Sequence, residues 1–165
     1  MKKILVLLFV LILNNHAFGA GSDSSSDSSS STSGTALYDQ AVKLVKRAGK
    51  LEKKDKGEKA KKIYSQAYEK LEKAYSSEKN NPDILNYMGY TSRKVGNFDK
   101  AEKFYLKGLS LKPDHNGINE YLGELYVQTN RIDKANERLA VLKNCNCEEY
   151  QELELIIKTK GTKIY

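Results

Sequence analysis

The chain holds 165 residues, of which 39% are hydrophobic and 30% charged, and its formal net charge is +7. That length suffices for one domain with a real core, and the basic balance admits anionic lipid, acidic protein or nucleic acid as partners. Enzyme classes with a legible signature find no support: the sequence shows no serine-nucleophile motif, no His-Glu-x-x-His and no phosphate-cradling glycine loop.

Met1, Lys2 and Lys3 precede the apolar run ILVLLFVLIL, and NNHAFGA follows it. A basic start, a short apolar run and small residues read as a secretory signal peptide over residues 1–19. The run is shorter than the roughly 20 residues a bilayer span needs. The expected cut follows Gly19, with Ala20 as the alternative; an uncleaved N-terminal anchor is the competing reading. Localisation is therefore expected to be periplasmic or secreted. An exported protein seldom meets nucleic acid, so none is expected as a partner.

Residues 20–34, AGSDSSSDSSSSTSG, are rich in serine and aspartate, which solvate well and bury nothing. They read as a disordered linker that spaces the domain from a surface; direct binding of a surface by the serine tract is the alternative.

From residue 35 the composition turns to helix formers. Leu37, Ala41, Leu44, Ala48 and Leu51 fall on one helical face. Asp55 with Glu58 three residues on reads as a capping box for a second helix, on which Ala67, Leu71 and Ala74 share a face. Between Lys43 and Lys62 stand ten basic residues against Glu52, Asp55 and Glu58. The bland reading is a solvated helix face; the functional one is a contact with anionic lipid or cell-wall polymer.

The next stretch repeats itself. Residues 82–115 set over 116–149 align without a gap, at a period of 34. Tyr87 falls on Tyr121, Met88-Gly89 on Leu122-Gly123, Phe98 on Ile132, and Asp99-Lys100-Ala101 on Asp133-Lys134-Ala135. Each copy divides into two helices. Asn81 caps a first helix that opens at Pro82. Gly96 and Asn97 break it, with Asn130 in the matching place. Ala101, Tyr105 and Gly108 form one face of the second helix, and Pro113 ends the unit. A glycine at the same mid-helix site in both copies costs about 1 kcal/mol relative to alanine, so it is expected where another helix comes close. Downstream, Tyr150, Leu153, Ile156 and Ile157 fall on one side of a last helix.

This pattern resembles the tetratricopeptide repeat over residues 82–149. The period carries the resemblance, together with Met88-Gly89 and Leu122-Gly123, Tyr126 three residues after its glycine, Ala101 and Ala135 early in the second helix, Tyr105 and Leu139 four residues later, and Pro113. Ser92 stands where an aromatic matching Tyr126 is expected, Gly108 and Leu142 replace a usual alanine, and Cys147 sits at the site of Pro113. The resemblance implies an all-α fold, a right-handed α-solenoid of three helix-turn-helix hairpins plus a C-terminal capping helix. Its domain of residues 35–165 comprises a degenerate first hairpin at 35–81, repeats at 82–115 and 116–149, and a cap at 150–165. One repeat cannot bury its own apolar face, so stacked units form the core.

In that family the first helix of each unit lines a concave groove. Carried over by position, the groove presents Asp83, Asn86, Tyr90, Arg93 and Lys94 from one unit and Glu120, Glu124, Val127 and Gln128 from the next. Asn86 would hydrogen-bond a peptide backbone, Tyr90 would stack, and the charges would set register. Each is equally readable as an ordinary exposed helix residue. Some relatives grip a C-terminal carboxylate; here Glu120 and Glu124 stand at the second matching pair and argue against that clamp.

Cys145 and Cys147 admit three readings: a local disulfide fixing the turn before the last helix, two free or intermolecular thiols, or a redox or metal role. Two sulfurs alone do not complete a tetrahedral zinc site, and no metal, cofactor or catalytic residue is assigned. His115 is read as a solvated turn residue. Two functions are carried forward. One is a non-enzymatic protein-protein interaction module, a scaffold or assembly factor of the bacterial cell envelope, that binds a peptide or protein in the groove. The alternative is an envelope-surface protein that binds anionic lipid or cell-wall polymer through the basic first hairpin. Self-association is compatible with either.

Overall fold

The computed structural model describes residues 33–162. The expected signal peptide, and the linker up to Thr32, lie outside the described residues. The described chain is all-α, with seven helices and no strand among those residues. The helices are α1 (Gly34–Glu52), α2 (Gly57–Ser77), α3 (Pro82–Lys94), α4 (Phe98–Leu111), α5 (Asn116–Gln128), α6 (Ile132–Leu142) and α7 (Glu148–Lys158).

The helix starts follow from side chains that accept otherwise unmet backbone N–H groups. Ser33 accepts from the Ala36 N–H at 3.2 Å, so the last serine before the domain caps α1. Asn81 accepts from Asp83 and Ile84 ahead of α3, where Pro82 has no N–H to satisfy. Asn97 does the same for α4 through the Lys100 N–H. The capping box at Asp55 and Glu58 does not form. Lys56 occupies the cap position of α2 without a side-chain bond, and Glu58 instead pairs with Lys61 at 3.0 Å. Asp55, one residue before that cap, is used as the turn itself, with φ +56°, a left-handed conformation that Asp and Asn tolerate better than most residues. Asn130 does the same between α5 and α6 with φ +57°, whereas at the α3–α4 turn Gly96 alone is left-handed, with φ +90°.

The helices pair as antiparallel hairpins, α1 with α2, α3 with α4 and α5 with α6, and each hairpin packs on the next through α2 on α3 and α4 on α5. The first helices α1, α3 and α5 also touch in series. Helix α7 lies against both α5 and α6, the place a further unit's first helix would take, so it covers the last hairpin. The result is a solenoid of three hairpins and a cap.

Two apolar clusters run through it. The first joins α1, α2 and the start of α3 around Tyr64, Leu71, Ile84 and Met88. Ala41, Ala48, Ala60, Ala67 and Ala74 are fully buried there, and these small side chains let α1 and α2 lie close. Val45 joins the core in place of Leu37, Leu44 and Leu51, which remain half-buried. The second cluster joins α4, α5, α6 and α7 around Tyr105, Ile118, Leu122, Leu125 and Ile156. Each large side chain enclosed in this way stabilises the fold by about 1.5–3 kcal/mol relative to exposure.

The paired glycines have different neighbours. A Cβ on Gly89 would lie 2.4 Å from the Tyr105 ring of α4, and one on Gly123 would lie 2.6 Å from the Leu153 methyls of α7. Tyr105 is long enough to reach across its own hairpin. Leu139 at the equivalent site of α6 is shorter and half-buried, and α7 fills the space instead.

Candidate functional site

Helix α3 turns Tyr87, Tyr90 and Lys94 toward the neighbouring first helices, and α5 does the same with Glu120, Tyr121 and Glu124. These spacings of three and four keep each set on one helix face. Tyr87 meets Tyr38 of α1 edge-on, with ring centres 5.6 Å apart. Tyr121, its counterpart in the second copy, meets Tyr90 of α3 at 4.8 Å. Tyr64 of α2 stands edge-on to Tyr90 at 5.9 Å. Tyrosines therefore connect one first helix to the next along this face.

Arg93 lies at the seam between the two repeats. Its Nη2 is 2.5 Å from Glu124 Oε2, and its Nη1 donates to Gln128 Oε1 at 3.2 Å. The guanidinium also faces the rings of Tyr90 and Tyr121 at 5.5 and 5.8 Å. Burial opposes a charge on Arg93, but Glu124 beside it outweighs that and the guanidinium stays protonated. One turn on, Lys94 Nζ pairs with Glu52 Oε2 of α1 at 2.7 Å. The Tyr64 hydroxyl donates to the same oxygen at 2.9 Å.

Above this seam opens a recess of about 210 Å³, lined by Gly49, Glu52 and Lys53 of α1 and its end, Tyr90 of α3, Glu120, Tyr121 and Glu124 of α5, and Glu152 of α7. All four helices of the face contribute. Glu120 is 3% exposed, and no amide, hydroxyl or cationic donor among the described residues meets its Oε1. Burial first, then a side-chain hydrogen bond with Glu152 and the nearby carboxylates of Glu124, Glu152 and Glu149, push the Glu120 carboxyl up to about 10. Glu120 is therefore protonated at neutral pH. Burial likewise pushes the Tyr90 and Tyr121 hydroxyls upward.

The residues proposed from the sequence for the groove do converge on this face, but they do not all open onto it. Tyr90, Glu120 and Glu124 line the recess. Asn86, Arg93 and Val127 are buried and do not line the recess, where the sequence had placed them on an open groove. Asn86 is turned toward Gly117 at the start of α5, Arg93 is consumed by Glu124 and Gln128, and Val127 belongs to the second apolar cluster. Lys94 is half-buried and tied to Glu52. Gln128 is exposed and accepts from Arg93. Asp83 is exposed and accepts from His115 Nε2 at 3.0 Å.

His115 is also more than a solvated turn residue. Its Nδ1 accepts the Ile118 N–H at 3.2 Å and caps α5, which requires the tautomer carrying its proton on Nε2, the nitrogen facing Asp83. Cys145 and Cys147 form a disulfide in the turn between α6 and α7. Sequence reasoning misses Tyr121, Glu52 and Glu152. Tyr121 has a signal, its match to Tyr87; the two glutamates have none, because nothing local distinguishes them from solvated helix acids. All ten basic residues between Lys43 and Lys62 are exposed on α1, α2 and their connection.

Among the described residues no group of His, Cys, Asp and Glu is placed to hold a metal ion, and no helix is long and apolar enough to cross a membrane.

Residues 82–115 match the family model of the tetratricopeptide repeat. Three solved structures of the Yersinia enterocolitica type III secretion translocator chaperone SycD are similar to this chain, each at 17% identity. One covers 79% of this chain and 93% of its own, with a TM-score of 0.48. The chaperone in complex with a peptide of the translocator YopD covers 74% and 90%, with a TM-score of 0.47. An alternative dimer covers 74% and 89%, with a TM-score of 0.49. No curated protein matches the chain.

Proposed function

We propose that the tetratricopeptide repeat at residues 82–115, with the hairpins stacked on either side of it, makes this chain a non-enzymatic protein-interaction module that holds a peptide segment of a partner on the face of α1, α3, α5 and α7. The observation that carries this reading is the recess to which all four helices contribute, with tyrosines and charged side chains at its wall. An aromatic and charged trough built on rigid helices suits an extended segment, which needs apolar contact and polar register. The N-terminal sequence supports placing the module in the bacterial cell envelope, exported through a cleaved signal peptide and spaced from the membrane by the serine-rich arm.

A photo-crosslinking residue at position 152, on the recess, tests this against one at position 46, on the exposed basic face. Protein adducts in the envelope from position 152 and not from 46 are expected. The competing reading, a lipid- or wall-binding basic hairpin, predicts salt-sensitive binding to anionic vesicles or sacculi that is lost when the Lys43–Lys62 stretch is neutralised. That result, with no protein adduct at 152, would overturn the peptide-binding reading.

A further inference from the structure

We propose that the recess accepts the cationic side chain of a lysine or arginine on the bound polypeptide, seated between Glu120 and Glu152 against Tyr90 and Tyr121. This rests on the peptide-binding reading of the same face and names the side chain that face selects.

The argument is an accounting of charge. Four carboxyl groups line the recess. Two are answered from within: Glu52 by Lys94 and the Tyr64 hydroxyl, and Glu124 by Arg93. Glu120 and Glu152 are in no ion pair among the described residues. Glu120 is enclosed, no amide, hydroxyl or cationic donor among the described residues meets its Oε1, and its side-chain partner is the Glu152 carboxyl. Enclosing two adjacent carboxyls forces Glu120 to stay protonated, and a cation seated beside them takes the place of that proton. Lys53 lines the mouth of the recess but is exposed and in no ion pair among the described residues, so it does not neutralise Glu120.

The chemistry of the wall selects an organic cation on a chain. An anion would be repelled by Glu152, which is in no ion pair among the described residues. A metal ion finds no suitable set of side chains among the described residues. Tyrosine rings favour ammonium and guanidinium groups and also pack on their methylene stems. Past Glu152 the recess adjoins a second trough lined by Lys53, Gln151, Glu152 and Leu155, where the residues flanking an inserted side chain can lie. Glu120, held protonated by its surroundings, releases its proton when the cation arrives, and the two carboxylates then share one positive charge.

The test is an amide-shift NMR titration with acetyl-Gly-Gly-Lys-Gly-Gly-amide and with its norleucine analogue, which keeps the stem and lacks the charge. The lysine peptide should shift Glu120, Tyr121, Glu124 and Glu152 and bind at least about tenfold more tightly than the norleucine peptide. Glu152→Gln, at an exposed site, should reduce that preference by itself, and Glu120→Gln with Glu152→Gln should abolish it. Lys53→Met, which removes a like charge from the lining of the recess, should strengthen lysine binding. Equal binding of the two peptides at this face overturns the cation site and leaves the peptide-binding reading standing. A lysine preference unchanged by the double substitution also overturns it. If neither peptide shifts this face and position 152 yields no protein adduct, both readings fall.

Discussion

Arg93 and Glu124 form an ion pair at 2.5 Å whose side chains are only 1% and 5% exposed, enclosed between the first helices of two successive repeats. Groups expected to face a ligand are instead spent on fixing one hairpin against the next. A buried pair gains little over apolar residues of similar shape, but removing one member strands the other charge. Arg93→Ala should therefore cost about 3–5 kcal/mol, while Arg93→Met combined with Glu124→Leu should cost much less than the sum of the single changes. Urea unfolding of the four proteins in a double-mutant cycle measures the coupling; additive costs would mean the pair does not join the repeats.

Glu120 makes stability depend on pH. Its carboxyl stands near 10 in the folded chain, far above its ordinary range. A folded state that holds its proton more tightly than the unfolded one loses stability as pH rises. The penalty is absent below the ordinary carboxylate range and grows from there toward pH 10. Glu120→Gln should raise the melting temperature at about pH 8 and leave it nearly unchanged at about pH 4. Thermal unfolding at the two pH values decides this; an equal shift at both would place the Glu120 carboxyl in its ordinary range.

The two repeat glycines should respond differently to alanine. At Gly89 the added Cβ meets the enclosed Tyr105 ring, and at Gly123 it meets the terminal methyls of Leu153. Overpacking costs about 1–3 kcal/mol, set against about 1 kcal/mol gained in helix propensity. Gly89→Ala should be clearly destabilising, and Gly123→Ala milder because the contact there is with the ends of a flexible side chain rather than with a rigid ring. Chemical denaturation of both variants gives the comparison, and a reversed order would refute it.

His115 joins α3 to α5 by capping one and holding Asp83 of the other. His115→Ala should cost about 1 kcal/mol. His115→Asn, which keeps a capping acceptor but cannot reach Asp83 in the same way, should recover part of it. If alanine proves neutral in urea unfolding, the histidine is a bystander at the turn.

The fold was legible because its determinants are local and repeated. The period of 34, the caps at Asn81 and Asn97, the break at Gly96 and the apolar spacing each act within a few residues, so a linear reading reaches them. The failed capping box at Asp55 and Glu58 shows the limit even there: one aspartate suits either a cap or a left-handed turn, and the position where α1 ends chose the turn.

The site was legible only as a neighbourhood. Asn86 and Tyr90 lie four residues apart on α3 and look alike as groove candidates. The approach of α5 decides that Asn86 is covered and Tyr90 opens onto the recess. Arg93 reads as a free cation until Glu124, 31 positions later in the sequence, closes on it. Glu152 becomes part of the site because α7 takes the place of the next repeat's first helix. The sequence alone thus determined the helices, their pairing into hairpins and the helix face on which the candidate residues gather. The tertiary structure decided which carboxylates have partners, because charge compensation depends on distance between helices, and no spacing along one helix encodes it.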